Sequence, residues 1–483
     1  MASGISLRHK AGAFALVVLL AAGGVFAAGE LGLGPSLGRH DSAPATPTAV
    51  PPPPGPGLVL RQPPPAPAVL AAAGGGPPFS SPRLRRHLAA ELELPGLAGS
   101  LGVAVAQLGT PGEDWHAGAS TVTPASTMKL LTTTAALATL GPEHRFTTTV
   151  VRGRTPGALV LVGGGDPLLV DDIARSRQPD SPYPEPASLQ QLAADTAARL
   201  LRQGVRRVSL DYDASLFTGP AVNPRWPMTY VADNVVSPIT ALWVDEGRTT
   251  PTLEERSADP ARDAALAFRA QLTRAGITVT GATRSRSAPT TDRSEVAAVE
   301  SAPLDEIVEH IIDSSDNEGA EVLLRQVAVT MGGTGSSAAG VAALRRALAG
   351  LGLDLAGAVF YDGSGLSRQD VLPVRLLLDV LETAASPDAP ALRAVITGLP
   401  VAGFSGSLAY RFDQGEGASD GLGYVRAKTG TLTGVHGLAG LVLTRSGQVL
   451  VFAAVADEVP VSKALEARED LDELAAALST CGC

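Results

Sequence analysis

A mixed α/β (α+β) protein, in which an antiparallel sheet packs against helices and a further domain is inserted, is the fold class this sequence predicts. Three observations predict it. Segments 424–432, 436–444 and 448–456 read as three successive strands, the last two joined by a hairpin turn at Arg445-Ser446-Gly447. Segment 126–140 is uncharged apart from Lys129, is rich in Leu, Ala and Thr, and lies between Pro124 and Gly141-Pro142, which marks a buried helix. Finally, 185 residues separate Lys129 from Ser315, far more than a compact fold needs to join two neighbouring helices. That stretch has its own strand patterns at 157–162 and 207–212 and a helical run at 189–201, so it reads as a domain inserted into another.

The elements follow in order. Arg8-His9-Lys10 precede an uncharged run of apolar and small residues, 11–29, ending near Phe26-Ala27-Ala28. Residues 1–34 therefore read as an export signal, either cleaved or kept as an anchor that crosses a bilayer through residues 11–29. In either case the rest of the chain is expected outside the cytoplasm. In 35–82, 15 of 48 residues are proline and Gly74-Gly75-Gly76 lies near the end, a composition that makes an extended, semi-rigid spacer. A first part of the main domain is expected over 83–148, with a short helix at 83–94 stopped by Pro95-Gly96 and a strand at 101–108. The insert is expected over 149–300 and the second part of the main domain over 301–478. There, helices at 304–312 and 318–329 bracket the polar turn Ser315-Asp316-Asn317, and an amphipathic helix at 461–478 carries Lys463 on a charged face. The tail, 479–483, holds the two cysteines, Cys481 and Cys483, and reads as a frayed end.

Composition excludes several functions. A net charge of −10 with dispersed arginines offers nothing to a phosphate backbone, so nucleic acid is not an expected partner. The seven histidines (9, 40, 87, 116, 144, 310, 436) form no HxxxH or HExxH pair, so neither a metal nor another cofactor is expected. Gly163 to Pro167 lacks the Lys-Ser or Lys-Thr of a phosphate-cradling loop, and Ser364, between two glycines, completes no Gly-x-Ser-x-Gly elbow and reads as a turn. Lysine is scarce: four of the 38 basic residues, the rest being arginine. A guanidinium stays protonated in a protein, whereas a buried amine can lose its proton and act as a base. Lys129 follows Ser126 by three residues, on one face of the expected helix, where burial and the positive helix end both favour a neutral amine. Lys428 opens the run Lys428-Thr429-Gly430-Thr431, expected on a sheet edge beside that helix.

Ser126-x-x-Lys129, Ser315-x-Asn317 and Lys428-Thr429-Gly430 thus occur on helix, turn and strand, in that order. The set resembles the signature of penicillin-binding proteins and serine β-lactamases. Longer runs narrow the likeness: Pro124-Ala125-Ser126-Thr127-Met128-Lys129, Gly141-Pro142 with Arg145-Phe146-Thr147-Thr148, Gly163-Gly164-Gly165-Asp166-Pro167, and Asp362-Gly363-Ser364-Gly365-Leu366-Ser367-Arg368. These are similar to the low-molecular-mass class C penicillin-binding proteins, the S13 family of D-alanyl-D-alanine carboxypeptidase/endopeptidases. The resemblance spans about 83 to 478; Gly406-Ser407-Leu408 departs from the expected Gly-Thr-Leu. It implies a transpeptidase-type domain with an inserted accessory domain, peptidoglycan stem peptides as substrate, covalent capture of β-lactam antibiotics, and a place on the outer side of the bacterial plasma membrane, secreted or anchored.

The roles expected within that reading are those of acyl transfer. Ser126 is the nucleophile and neutral Lys129 its base. Ser315 relays the proton to the departing amine, and Asn317 orients Lys129 and the substrate amide. Lys428 stays charged and draws the peptide carboxylate, Thr429 and Thr431 donate to it, and Gly430 lets the substrate backbone lie close. By resemblance, the backbone N–H groups of Ser126 and Thr431 form the oxyanion hole. Two alternatives stay open on the sequence alone: a β-lactamase or esterase on the same fold, and a wall-associated penicillin-binding sensor without turnover.

Overall fold

The computed structural model describes residues 79–97, 100–110, 114–176, 183–289 and 294–483, all within one compact unit, Leu70–Cys483. The expected export signal and most of the proline-rich spacer lie outside the described residues. Among the described residues, no helix is long and apolar enough to cross a membrane.

The core of the molecule is a five-stranded antiparallel sheet in the order Val425–Leu432, Val435–Leu443, Val449–Asp457, Ser100–Gln107, Asp114–Gly118. Its central strands are buried on both faces, which is why they read as near-continuous apolar runs. Alternate residues serve opposite layers. Val451, Ala453 and Val455 face a helical layer that includes Met128–Leu140, Leu304–Ser314, Asn317–Thr330 and Val374–Ala385. Leu450, Phe452 and Ala454 face the chain-terminal helices Ser81–His87 and Ala464–Thr480.

Met128–Leu140 has no polar face, since every residue from Met128 to Leu137 is buried, and a helix apolar all round belongs inside. Ser126 precedes it in a 3₁₀ turn, Ala125–Thr127, rather than in its first α-turn; Thr127 Oγ1 donates to the Pro124 carbonyl at 2.7 Å and tightens the entry. The strand holding Lys428 is the sheet edge nearest this turn. A Cβ on Gly430 would lie 2.8 Å from the Pro124 carbonyl oxygen and 3.2 Å from Thr127 Cγ2. Gly430 is therefore the place where the strand and the Ser126 turn meet, a contact that its lack of a side chain permits.

Residues 147–300 build a second five-stranded sheet, in the order Thr278–Thr280, Arg207–Asp213, Ala158–Val162, Thr147–Arg152, Glu295–Glu300. Ala158–Val162, Arg207–Asp213 and Thr278–Thr280 are parallel, joined by crossovers through helices Leu189–Arg202 and Pro260–Arg274. Both helices start on a capping side chain: Ser188 accepts from Gln191 N, and Asp259 accepts from Arg262 N with Pro260 in the first turn. The Gly163–Pro167 run is a joint: Gln326 Nε2, on a helix of the main layer, donates to the carbonyls of Gly164 at 2.7 Å and Gly165 at 3.1 Å.

Two further expected elements differ. The helix expected at 83–94 is α-helical only over Ser81–His87 and continues as a 3₁₀ turn, Glu91–Glu93. The tail is not frayed: Cys481 and Cys483 form a disulfide, both are buried, and the Cys483 carbonyl accepts from Ser80 N at 2.7 Å. The cause is the final helix, which runs to Thr480 along the sheet and carries the last residues into the same apolar layer.

Candidate active site

Residues far apart in sequence converge on Lys129. Its Nζ, fully buried, lies 2.8 Å from Ser126 Oγ, from Asn317 Oδ1 and from the Ser364 carbonyl oxygen. Two of these three are carbonyl oxygens that can only accept. A neutral amine has two N–H bonds, which these carbonyls use, and its lone pair then points at the Ser126 hydroxyl. The same three positions suit a protonated amine donating to all three, so the geometry serves both ends of a proton transfer. Burial lowers the Lys129 pKa to about 8, against the opposing pull of Asp316, Asp362, Glu321 and Glu318.

Lys428 is also fully buried, and its Nζ donates to Ser315 Oγ at 2.9 Å and to the Thr429 carbonyl at 2.9 Å. Burial pushes its pKa well below the ordinary lysine value, the charge on Lys129 lowers it further, and Asp313 offsets part of the effect. The buried site thus works against the charge expected on Lys428 as well as against that on Lys129. Both amines are depressed because both have lost their water, and Lys428 carries the added cost of the Lys129 charge. Ser315 rests on Lys428, and its backbone is left-handed, with φ of 63°. Asn317 opens the next helix, capped by Asp316, whose Oδ1 accepts from Gly319 N at 3.0 Å. Thr429 Oγ1 donates to Ser407 Oγ at 2.9 Å, and Thr431 is exposed on the same strand. All eight expected residues are thus gathered around the junction of helix, turn and strand edge.

Sequence reasoning missed the supports. Ser364, read as a turn, supplies a carbonyl to Lys129, and its N–H and hydroxyl both donate to Glu321 Oε1, at 2.8 and 2.7 Å. Glu321 lies one helical turn after Asn317 and is fully buried; burial raises its pKa to about 7, with Asp362 adding to the rise. Asp362 braces the loop by accepting from Gly365 N, Ser367 N and the indole of Trp226 at 2.7–2.8 Å. The signal available was the Asp362–Arg368 run itself, noticed as a motif without an assigned task. Gly365 sits at φ of 79°, and a Cβ there would come within 1.8 Å of the Ala125 carbonyl, so this loop presses on the Ser126 turn. Ser407, noted only as a departure from a pattern, touches Thr429. Inserted residues also reach in: the Val235 carbonyl accepts from Asn317 Nδ2 at 3.0 Å.

Known proteins share this frame. The chain is 38% identical over 400 residues to Carboxypeptidase DacB of Mycolicibacterium smegmatis, covering 82% of this chain and 84% of that one. It is 38% identical over 366 residues to a carboxypeptidase of Mycobacterium tuberculosis, covering 74% and 76% of the two chains. Penicillin binding protein 4 from Haemophilus influenzae superposes on it with a TM-score of 0.64 at 20% identity, covering 83% of this chain and all of that one, and shows the same fold. The model of the D-Ala-D-Ala carboxypeptidase 3 (S13) family matches residues 84–258 and 252–478, taking in both sheets and every residue around Lys129. The chain belongs to that family.

Proposed function

We propose that this protein is a serine DD-peptidase that removes the terminal D-Ala from peptidoglycan stem peptides through an acyl-enzyme on Ser126, and that β-lactams acylate the same hydroxyl. The observation that carries this reading is the buried Lys129 amine, 2.8 Å from Ser126 Oγ and held by two carbonyls that leave its lone pair for the hydroxyl proton. Ser126 Oγ attacks the carbonyl carbon of the penultimate D-Ala while its proton passes to Lys129 Nζ. The C–N bond then breaks, and the departing nitrogen takes a proton through Ser315, which Lys428 holds at 2.9 Å. Water hydrolyses the ester and restores Ser126. The N–H groups of Ser126 and Thr431 stabilise the oxyanion, each worth roughly 3 kcal/mol.

Substrate binding also sets the protonation states. The terminal carboxylate brings Lys428 the counter-charge that burial denies it and so draws a proton onto that amine. A charged Lys428 repels a charged Lys129, which favours the neutral base at the moment a substrate is present. Export by residues 1–34, with anchoring through residues 11–29, would place the enzyme beside its polymer.

A fluorescent penicillin tests the site. Wild type should become covalently labelled, Ser126→Ala should not, and Lys129→Arg should be labelled at least a hundredfold more slowly, because the charge remains and the base is lost. Labelling of Ser126→Ala would refute the assignment. Mass analysis of products from purified peptidoglycan, with and without penicillin, then separates release of D-Ala from cleavage of crosslinks. A reporter fused after residue 34 tests export.

A further inference from the structure

Against the Ser315-Asp316-Asn317 turn, all three residues of which line it, lies a cavity of about 370 Å³, walled on one side by the insertion and on the other by the helix Leu304–Ser314 and the start of Asn317–Thr330. Its lining holds four carboxyl groups, Asp245, Glu246, Asp316 and Glu318, against two guanidiniums, Arg248 and Arg256. The guanidiniums are already committed, Arg248 to Glu246 and Arg256 to Glu318 at 2.9 Å. Asp316 is not so matched. It is 8% exposed, its Oδ1 caps the helix, and its Oδ2 is buried with no hydrogen-bond partner. An oxygen of that kind is costly unless something binds it.

The His310 ring is beside it. One ligand atom each from Glu246, His310 and Asp316 lie within 4.8 Å of one another. A zinc ion with bonds of about 2.0–2.2 Å needs its ligand atoms about 3.4 Å apart, which small side-chain rotations would achieve here.

We propose that Glu246, His310 and Asp316 form a structural binding site for a divalent transition-metal ion of the zinc type, joining the insertion to the catalytic frame. One imidazole with two carboxylates suits zinc better than magnesium or calcium, which favour all-oxygen shells. The geometry is that of a clip. Glu246 comes from the inserted turn Asp245–Gly247, His310 from the last full turn of a main-layer helix, and Asp316 from between Ser315 and Asn317. No spacing rule could find this set, since the nearer two ligands are six positions apart and the third 64 positions earlier.

Full-length protein stripped with a chelator and titrated with zinc chloride tests the site. One zinc per chain should bind with a dissociation constant in the micromolar range or below, and its melting temperature should rise with the metal. Glu246→Gln and His310→Ala should each weaken binding at least tenfold while penicillin labelling shows that the fold is kept. Ser126→Ala, which lacks the proposed nucleophile, should bind zinc like wild type, so the metal site and the acyl-transfer reading stand or fall separately. Absence of saturable binding, binding unchanged in His310→Ala, or calcium or magnesium binding more tightly than zinc would overturn the proposal.

Discussion

Lys129 decides most of the chemistry at the scale of a single residue. With a pKa of about 8, about a tenth of the amine is in base form at pH 7, and most of it is at pH 9. Acylation by penicillin at fixed concentration should therefore rise roughly tenfold from pH 7 to pH 9 and level off above that. The direction follows from the base being the deprotonated form; a rate that falls across this window would contradict the role. Gly430 matters for a different reason. A Cβ 2.8 Å from the Pro124 carbonyl must push the strand edge from the Ser126 turn, since the obstacle is backbone and cannot rotate away. Gly430→Ala should slow penicillin labelling at least tenfold with little change in melting temperature, because only the junction opens.

Among elements, the site is a meeting of a 3₁₀ turn, a left-handed residue, a strand edge and the Asp362–Arg368 loop. The loop is held from the insertion by the Trp226 indole, which donates to Asp362 Oδ2 at 2.8 Å. Trp226 itself is buried in a cluster with Phe217, Val236, Trp243, Val322 and Leu366, drawn from both parts of the chain. Trp226→Phe keeps most of that apolar packing and removes one donor from a buried carboxylate. It should cost about 1–3 kcal/mol in chemical denaturation. It should also slow acylation, because Asp362 sets the loop whose Ser364 carbonyl holds Lys129. Stability lost with an unchanged acylation rate would show that the insertion stabilises the fold without tuning the site.

For the whole molecule, the described residues by themselves carry continuous apolar layers. The apolar layers take in described residues from Phe79 to Cys483, with Phe79 packed in the same layer as Cys481 and Cys483. A chain starting at residue 79 should fold, melt within a few degrees of the full chain, and label with penicillin at the same rate. A large loss of melting temperature would mean that residues before 79 contribute to the core. The two sheets are also joined through shared contacts, including Gln326 to the Gly164 and Gly165 carbonyls and Asn317 to the Val235 carbonyl. The insertion therefore holds Asn317 directly.

The sequence by itself determined the fold class, the strands and buried helix and the family, and it pointed to the eight candidate residues. Those features are local: apolar runs, capping residues, and short motifs whose spacing on a helix or strand is set by backbone geometry. Ser126 and Lys129 could be paired from an i, i+3 relation. Tertiary structure alone decided the rest. Ser364, Glu321 and Asp362 support Lys129 across a long separation in sequence, and nothing local in a serine between glycines signals a carbonyl aimed at a distant amine. Protonation was likewise beyond the sequence. It depends on burial and on the closeness of two amines 299 positions apart, which together lower the Lys428 pKa. The tail reads as frayed in the sequence for the same reason, since only the path of the last helix along the sheet makes it part of the core.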